Sequence, residues 1–202
     1  MRYELIDHSN LILATRVQLE IFPKEIAFHA YKKSIEDKHE HLRYYLAYKE
    51  NVIVGITGLY LDGTDSIWVG WYGVLEQYRL HGFGEQILLD TFEMAREWAK
   101  EIGNIRYIRL YTSSRDNAIA QILYRKYLDL VEEYQNEEDV NYDNTCLIYS
   151  KGIEENTPIT PWNNQFLNLK QDDELFVEGF REFIELTNGD IHVQIAPTGE
   201  VF

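Results

Sequence analysis

The chain has 202 residues, with a hydrophobic content of 45% and a formal net charge of −15. This length is enough for one sizeable core with a small appendage. The negative charge argues against nucleic acid as a partner, because phosphates bind basic surfaces. No apolar run reaches the roughly 18 residues of a membrane span, and the first ten residues lack the apolar region of a secretory signal. We therefore expect a cytoplasmic location and no membrane partner.

Cys146 is the only cysteine of the chain. A single thiol excludes an internal disulfide and a thiolate metal cluster. Its setting, NTCLIYS, is typical of a strand and favours a buried, inert side chain. His39 and His41 form an H-x-H pair, but no further ligand cluster accompanies them. We therefore expect no metal cofactor.

The first part of the chain predicts strands that flank a helical region. Residues 1–7 alternate as a strand does. Helical segments follow from Leu11 to about Lys38, with a break at Phe22-Pro23, because proline disfavours helix in the residue before it. Residues 43–61 are rich in β-branched and aromatic side chains and predict an antiparallel hairpin that turns at residues 49–51. Residues 66–74 predict the next strand.

The middle of the chain alternates between helices and strands. The helical spacing of apolar residues from Phe83 to Ile102 predicts a helix that ends before Gly103. A strand over 105–113 follows, then a helix from about Asn117 to Leu128 and strands near 130–134 and 144–150. This order implies a parallel strand pair inside an otherwise antiparallel sheet. The core face of the second helix is expected to carry Ile119, Ile122 and Leu123, with Tyr127 as a further candidate.

Residues 151–202 have a different composition. They hold three of the four prolines, and ten acidic against three basic side chains. The pattern predicts a linker over 151–171, a helix over about 172–187 and a short hairpin over 190–202. We therefore predict a domain over residues 1–150 followed by a small acidic α+β extension over 151–202.

The corner between residues 79 and 84, RLHGFG, has the features of a phosphate site. A helix N-terminus leaves its first N–H groups unpaired and partially positive. Glycine lets a phosphate approach that backbone closely. A tight turn against the sheet explains two glycines equally well. The corner is not a Walker A loop, because no Gly-Lys-Ser/Thr follows, and Ile87 stands where a dinucleotide fingerprint has its third glycine.

The surrounding sequence, VLEQYRLHGFGEQIL, resembles motif A of the GNAT superfamily of N-acetyltransferases. The family pattern is Q/R-x-x-G-x-G/A between the fourth strand and the third helix. Arg79, Gly82 and Gly84 occupy its fixed positions. Leu80 stands where many members have glycine, which the minimal pattern does not require.

A second segment, SSRDNAIAQILYRKYLDL, is similar to the family's N-x-x-A-x-x-x-Y element, with Asn117, Ala120 and Tyr124 at its positions. The resemblance covers residues 1 to about 150. It implies an α/β fold of the GNAT (acyl-CoA N-acyltransferase) type: a mixed α+β sheet in a three-layer α-β-α arrangement, here with a C-terminal α+β extension. It also implies an acyltransferase that moves an acetyl group from acetyl-CoA to a primary amine of a small molecule or peptide by direct attack.

The resemblance also assigns roles to residues. The pyrophosphate would rest on backbone N–H groups of residues 79–84, and an N–H near Tyr72 to Val74 would polarise the thioester carbonyl. Tyr124 would be the general acid, because a phenol stays protonated near neutrality. The residues expected to bind the cofactor are Tyr72, Val74, Arg79, Leu80, His81, Gly82, Phe83, Gly84, Asn117 and Tyr124.

The sequence does not identify the general base or the acceptor amine. Family members often place a carboxylate on the fourth strand, but residues 66–74 contain none. Asp62, Asp65, Glu76 and a water relay are all candidates. Residues 131–143 hold six carboxylates, which would attract a cationic acceptor or form a solvated charge run.

A homodimer is one option for the assembly. The alternative function is a non-catalytic CoA-binding sensor or a protein-interaction module.

Overall fold

A computed structural model of the chain describes residues 1–113, 118–135, 145–160 and 173–192. Within these ranges the strands are β1 (Arg2–Leu5), β2 (Leu42–Lys49), β3 (Val52–Leu61), β4 (Ser66–Val74), β5 (Tyr107–Ser113), β6 (Asp129–Gln135) and β7 (Thr145–Gly152). The α-helices are α1 (Leu11–Ile21), α2 (Phe28–Glu36), α3 (Phe83–Ile102), α4 (Ala118–Tyr127) and α5 (Asp173–Thr187). Three predicted features lie wholly or partly outside the described residues. They are Asn117, part of the predicted linker and most of the predicted terminal hairpin.

The strands form one mixed sheet in the order β1-β2-β3-β4-β5-β7-β6. β4 and β5 are parallel, with Ser66 opposite Tyr107 and Trp68 opposite Arg109. β7 pairs antiparallel with both β5 and β6. The predicted α/β fold with a parallel pair inside an otherwise antiparallel sheet is confirmed. In the part of the chain that is described, no helix combines the length and the apolar character that a bilayer crossing needs.

The chain divides into two compact units, each built from segments that are distant in sequence. The first comprises Met1–Tyr60, Gly70–Thr91 and Leu169–Phe202. The second comprises Leu61–Val69 and Phe92–Asn168. The glycine corner belongs to the first unit, and α4 belongs to the second.

In the first unit, helices cover both faces of the strands. Alternate residues of β2 point to opposite sides, as in any strand. Tyr44 and Leu46 lie in the cluster formed with α1 and α2, where the Tyr44 ring lies 5.1 Å from that of Tyr31. On the other face, Ala47 packs with Ile87 of α3. The N-terminal half of α3 is therefore held beside the glycine corner by its own buried face.

The helix of the C-terminal segment, α5, packs on α2 within the first unit. Phe183 is completely buried, and its ring lies 5.8 Å from that of Phe28. Lys32 of α2 and Glu182 of α5 form an ion pair of 2.7 Å. The hydrophobic contact supplies most of the adhesion, because a partly exposed ion pair contributes little.

In the second unit, the predicted core face of α4 is partly wrong. Tyr124 and Leu128 are buried, whereas Ile119 and Ile122 are 74% and 73% exposed. α4 has more apolar residues than one face can bury. Their spacing in the sequence therefore fits two possible buried faces and does not decide between them. The burial predicted for Cys146 is confirmed.

Candidate functional site

The glycine corner is a short turn that opens directly into α3. A single 3₁₀ turn, Glu76–Tyr78, follows β4. Leu80 then adopts a φ of 64° and Gly82 a φ of 81°, both in the left-handed region. Gly82 has no neighbour that would obstruct a Cβ, so its backbone conformation is what requires glycine. Leu80 is 91% exposed, which leaves the corner open to solvent.

The N-terminus of α3 faces this corner. The first backbone bond of the helix runs from the Gln86 N–H to the Gly82 carbonyl oxygen, at 3.1 Å. The N–H groups that precede this bond lie at the start of α3, where a helix leaves its first donors without intrahelical acceptors and carries the positive end of its dipole. Such a terminus binds anions, and phosphate in particular.

Gly84 allows the first turn of α3 to meet β4 closely. The Tyr72 hydroxyl donates a hydrogen bond of 2.6 Å to the Gly84 carbonyl oxygen. A Cβ on Gly84 would lie 3.2 Å from that hydroxyl oxygen, closer than side chains normally come. The second glycine of the motif therefore fixes where the helix begins relative to the strand.

The side chains of Arg79 and His81 stabilise the corner through hydrogen bonds to backbone carbonyl oxygens. The Arg79 Nε donates to the Val74 carbonyl oxygen at 3.1 Å. The Arg79 carbonyl oxygen accepts a bond of 2.7 Å from His81 Nδ1, and the His81 ring stacks on Phe83. The structure thus brings together within the first unit the expected residues Tyr72, Val74, Arg79, Leu80, His81, Gly82, Phe83 and Gly84.

Tyr124 lies in the second unit, on α4. Its side chain is 7% exposed, and its ring lies 5.6 Å from that of Tyr149. Burial, with a smaller contribution from Tyr149, holds the pKa of the Tyr124 phenol well above its ordinary value. The phenol therefore keeps its proton at neutral pH and is chemically a donor.

Two of the candidate general bases are occupied in the turn before β4. Asp62 accepts hydrogen bonds from the Trp68 indole N–H at 2.7 Å and from the Thr64 hydroxyl. Asp65 accepts a bond of 3.1 Å from the Ser66 hydroxyl. Both carboxylates therefore stabilise this turn through their hydrogen bonds. Glu76 is exposed in the 3₁₀ turn.

The H-x-H pair does not act as a unit. Asp37, Glu40 and His41 each place one potential ligand atom within 4.8 Å of the others. His39 lies outside this group, and its Nδ1 is 3.0 Å from the Ser34 hydroxyl instead. The two histidines therefore have separate surroundings.

The model of the acetyltransferase (GNAT) family matches residues 12–129, which is more than half of the chain. The chain therefore belongs to the GNAT acetyltransferase family. It is accordingly an acyltransferase of the N-acetyltransferase kind. No curated protein matches the sequence significantly.

Solved structures of low sequence identity share the fold. A chimera of the spermidine N-acetyltransferase SpeG from Vibrio cholerae and hSSAT superimposes with a TM-score of 0.61 at 13% identity, covering 76% of this chain and 96% of its own. Arabidopsis thaliana NAA60, in complex with a bisubstrate analogue, gives 0.60 at 14% identity, with coverages of 75% and 97%. An acetyl-CoA-bound GNAT family acetyltransferase from Elizabethkingia anophelis gives 0.51 at 16% identity, with coverages of 67% and 88%.

Proposed function

We propose that this protein transfers the acetyl group of acetyl-CoA to a primary amine of a small molecule or peptide by direct attack. The observation that carries the proposal is the glycine corner, where the left-handed turn at Gly82 opens onto the N-terminus of α3. Main-chain donors at such a terminus bind a diphosphate without a dedicated cation. Family membership supports the same chemistry, and a family acetyltransferase of the same fold has been solved with acetyl-CoA bound.

The corner residues would hold the donor. The N–H groups of residues 80–84 bind the pyrophosphate of coenzyme A, because the Arg79 N–H already donates to the Glu76 carbonyl oxygen at 3.1 Å. A backbone N–H between Tyr72 and Val74 donates to the thioester carbonyl and stabilises the negative charge that develops on its oxygen. Asn117, at the start of the family's second element, completes the proposed cofactor set.

The reaction is a substitution at the acetyl carbonyl. The neutral amine attacks the carbonyl carbon, a C–N bond forms, and the C–S bond breaks to release the thiolate of coenzyme A. Tyr124 gives its proton to the sulfur and regains one from the nitrogen of the intermediate. The raised pKa of the phenol keeps it in the donor form.

A cationic acceptor fits the charge of the chain. Residues 131–143 carry six carboxylates, of which the described Glu132 and Glu133 lie on β6. Together with the net charge of −15, these groups favour the approach of an ammonium. A polyamine, an aminoglycoside and a lysine side chain all have the required amine.

The test is to follow thiol release from acetyl-CoA with a panel of amines. We expect turnover with at least one amine, and we expect Tyr124→Phe to lower kcat by about 10²-fold while the affinity for acetyl-CoA is unchanged. Tyr149→Phe removes the neighbouring phenol and should retain activity. If the protein binds acetyl-CoA but no amine is acetylated, the sensor alternative is favoured, which the lack of a carboxylate on β4 also supports.

A further inference from the structure

The C-terminal helix α5 lies outside residues 12–129, the part of the chain that the family model matches. Together with the described residues that follow it, the helix forms residues 173–192, here called the α5 segment. This segment belongs to the first unit, which also contains α1, α2, the glycine corner and residues 70–74 of β4. Its contacts within that unit indicate what the segment contributes.

A glycine at position 179 allows α5 to approach α2 closely. Gly179 is buried, and a Cβ on it would lie 2.6 Å from His29 Cδ2 and 3.3 Å from His29 Cγ, whereas ordinary van der Waals contact begins at 3.4 Å. Rotation of the imidazole about its Cβ–Cγ bond leaves Cγ in place, so the ring alone cannot make room. One turn further along α5, the Phe183 ring packs on Phe28. The distance between the two helices is therefore set by the absence of a side chain at position 179.

The end of the α5 segment is attached to α1. The Arg16 guanidinium donates two hydrogen bonds, of 2.9 and 3.2 Å, to the Asp190 carbonyl oxygen, and a third, of 3.2 Å, to the Asp190 carboxylate. The next residue, Ile191, packs against the hydrophobic cluster to which α1 and α2 both contribute. The α5 segment thus contacts both helices and constrains them together.

A buried amide joins α1 to the start of α2. The Gln18 side chain is completely buried. Its Nε2 donates to the Glu25 carbonyl oxygen at 2.9 Å, and its Oε1 accepts from the Ala27 N–H at 2.8 Å. These bonds hold the loop of residues 22–27 against α1. Because close-packed interiors transmit displacements, a shift of α2 is passed on to α1.

The C-terminal end of α1 in turn contacts β4. A Cβ on Gly73 would lie 2.4 Å from Ile21 Cγ2 and 3.2 Å from the Phe22 ring. The Phe22 ring also packs edge-to-face on Trp71, with 5.8 Å between ring centroids. Gly73 is the middle residue of the segment from Tyr72 to Val74, whose N–H groups are proposed to receive the thioester carbonyl. The position of α1 therefore bears directly on this strand segment.

We infer that the α5 segment positions α1 and α2 against β4 and thereby aligns the N–H donors of residues 72–74 with the thioester carbonyl. This inference rests on the proposed function. Gly179 and Phe183 are positioning residues, because they act through α1 and α2. Donors of this kind stabilise the developing oxyanion only when they are aimed at it. The pyrophosphate is proposed to bind at the start of α3, so the affinity for coenzyme A does not depend on this alignment.

The experiment compares Gly179→Ala with Glu178→Ala in the full-length chain. Glu178 is the exposed neighbour on the same helix and serves as the matched control. The readouts are kcat for the best amine, the calorimetric affinity for coenzyme A, and the melting temperature. We expect Gly179→Ala to lower kcat by about 10-fold, because misplacement by about 1 Å can cost up to roughly 10²-fold. Its affinity for coenzyme A and the kcat of Glu178→Ala should match the wild type.

A second substitution distinguishes positioning from a general loss of structure. Alanine favours the helix more than glycine does, so the effect of Gly179→Ala comes from its contact with His29. His29→Ala removes the ring that the new methyl group meets. The double variant should therefore recover most of the wild-type kcat, although it has lost a further side chain. If Gly179→Ala does not fold, Phe183→Leu reduces the contact with Phe28 instead and should lower kcat with unchanged affinity for coenzyme A.

The outcomes separate this inference from the proposed function. If the wild type acetylates an amine and Gly179→Ala, or Phe183→Leu in its place, keeps the wild-type kcat, the role of the α5 segment is wrong and the proposed function stands. A loss of kcat that His29→Ala does not reverse, or that comes with weaker binding of coenzyme A, also overturns this role. If the wild type acetylates no amine, the proposed function and the role of the α5 segment are both overturned.

Discussion

Gly82 adopts a backbone conformation that an L-residue reaches only at a cost. Its φ is 81°, and nothing lies near enough to obstruct a Cβ. Gly63, in the turn after β3, has a φ of 79° and equally open surroundings. The two glycines therefore differ in their location and not in their local strain, which makes them a matched pair.

We predict that Gly82→Ala and Gly63→Ala each lower the free energy of unfolding by about 1 kcal/mol. Only Gly82→Ala should weaken acetyl-CoA binding, because only that backbone belongs to the proposed pyrophosphate cradle. Denaturant unfolding and calorimetric titration measure the two effects. Equal acetyl-CoA affinity in the two variants would show that the corner does not hold the cofactor.

At the scale of elements, the packing of α5 on α2 includes the contact between the Phe183 and Phe28 rings. We predict that Phe183→Ala lowers the free energy of unfolding by about 3–5 kcal/mol, because it removes a fully buried ring. Leu186→Ala, at a side chain that is 59% exposed on the same helix, should change it by less than about 0.5 kcal/mol. Urea unfolding of both variants gives the comparison. Similar values for the two would mean that α5 does not pack as described.

For the whole molecule, buried phenols predict instability in alkali. Burial raises the pKa of Tyr3, Tyr31, Tyr48 and Tyr124 above the ordinary value. The unfolded chain then releases these protons above pH about 10, whereas the folded chain retains them. The unfolded state binds fewer protons, so the free energy of unfolding should fall as pH rises through and beyond this point.

Tyr31 offers the sharpest check of that alkaline effect. Its side chain is completely buried, and its hydroxyl has no hydrogen-bond partner among the described residues. Tyr31→Phe should therefore be at least as stable as the wild type at neutral pH and should lose less stability in alkali. Denaturant titrations at neutral pH and near pH 11 measure both effects. A variant that is as alkali-sensitive as the wild type would contradict this explanation.

Much of the fold follows from local patterns in the sequence. The hairpin of β2 and β3, the long helix α3 and the parallel pair of β4 and β5 were predictable because alternation, helical spacing and glycine stops are local signals. The buried face of α4 was not fully predictable. Which of two apolar stripes is buried depends on contacts such as that of Tyr124 with Tyr149, and these form only in the folded chain.

The candidate site shows the same division. The glycine corner is contiguous in sequence, so its motif could be recognised. The hydrogen bond from the Tyr72 hydroxyl to the Gly84 carbonyl oxygen could not be predicted, because 12 residues separate its partners. The close approach that requires glycine at position 84 forms only when β4 packs against the start of α3. No local pattern in the sequence carries that information.

The central claim is that main-chain N–H groups at the corner hold the diphosphate of acetyl-CoA. The most direct measurement is a titration of ¹⁵N-labelled protein with acetyl-CoA, followed by the backbone amide resonances. We expect saturable shifts, with the largest changes at the amides of residues 80–84. Saturable shifts that leave these amides unchanged, or an absence of any saturable shift, would contradict the claim.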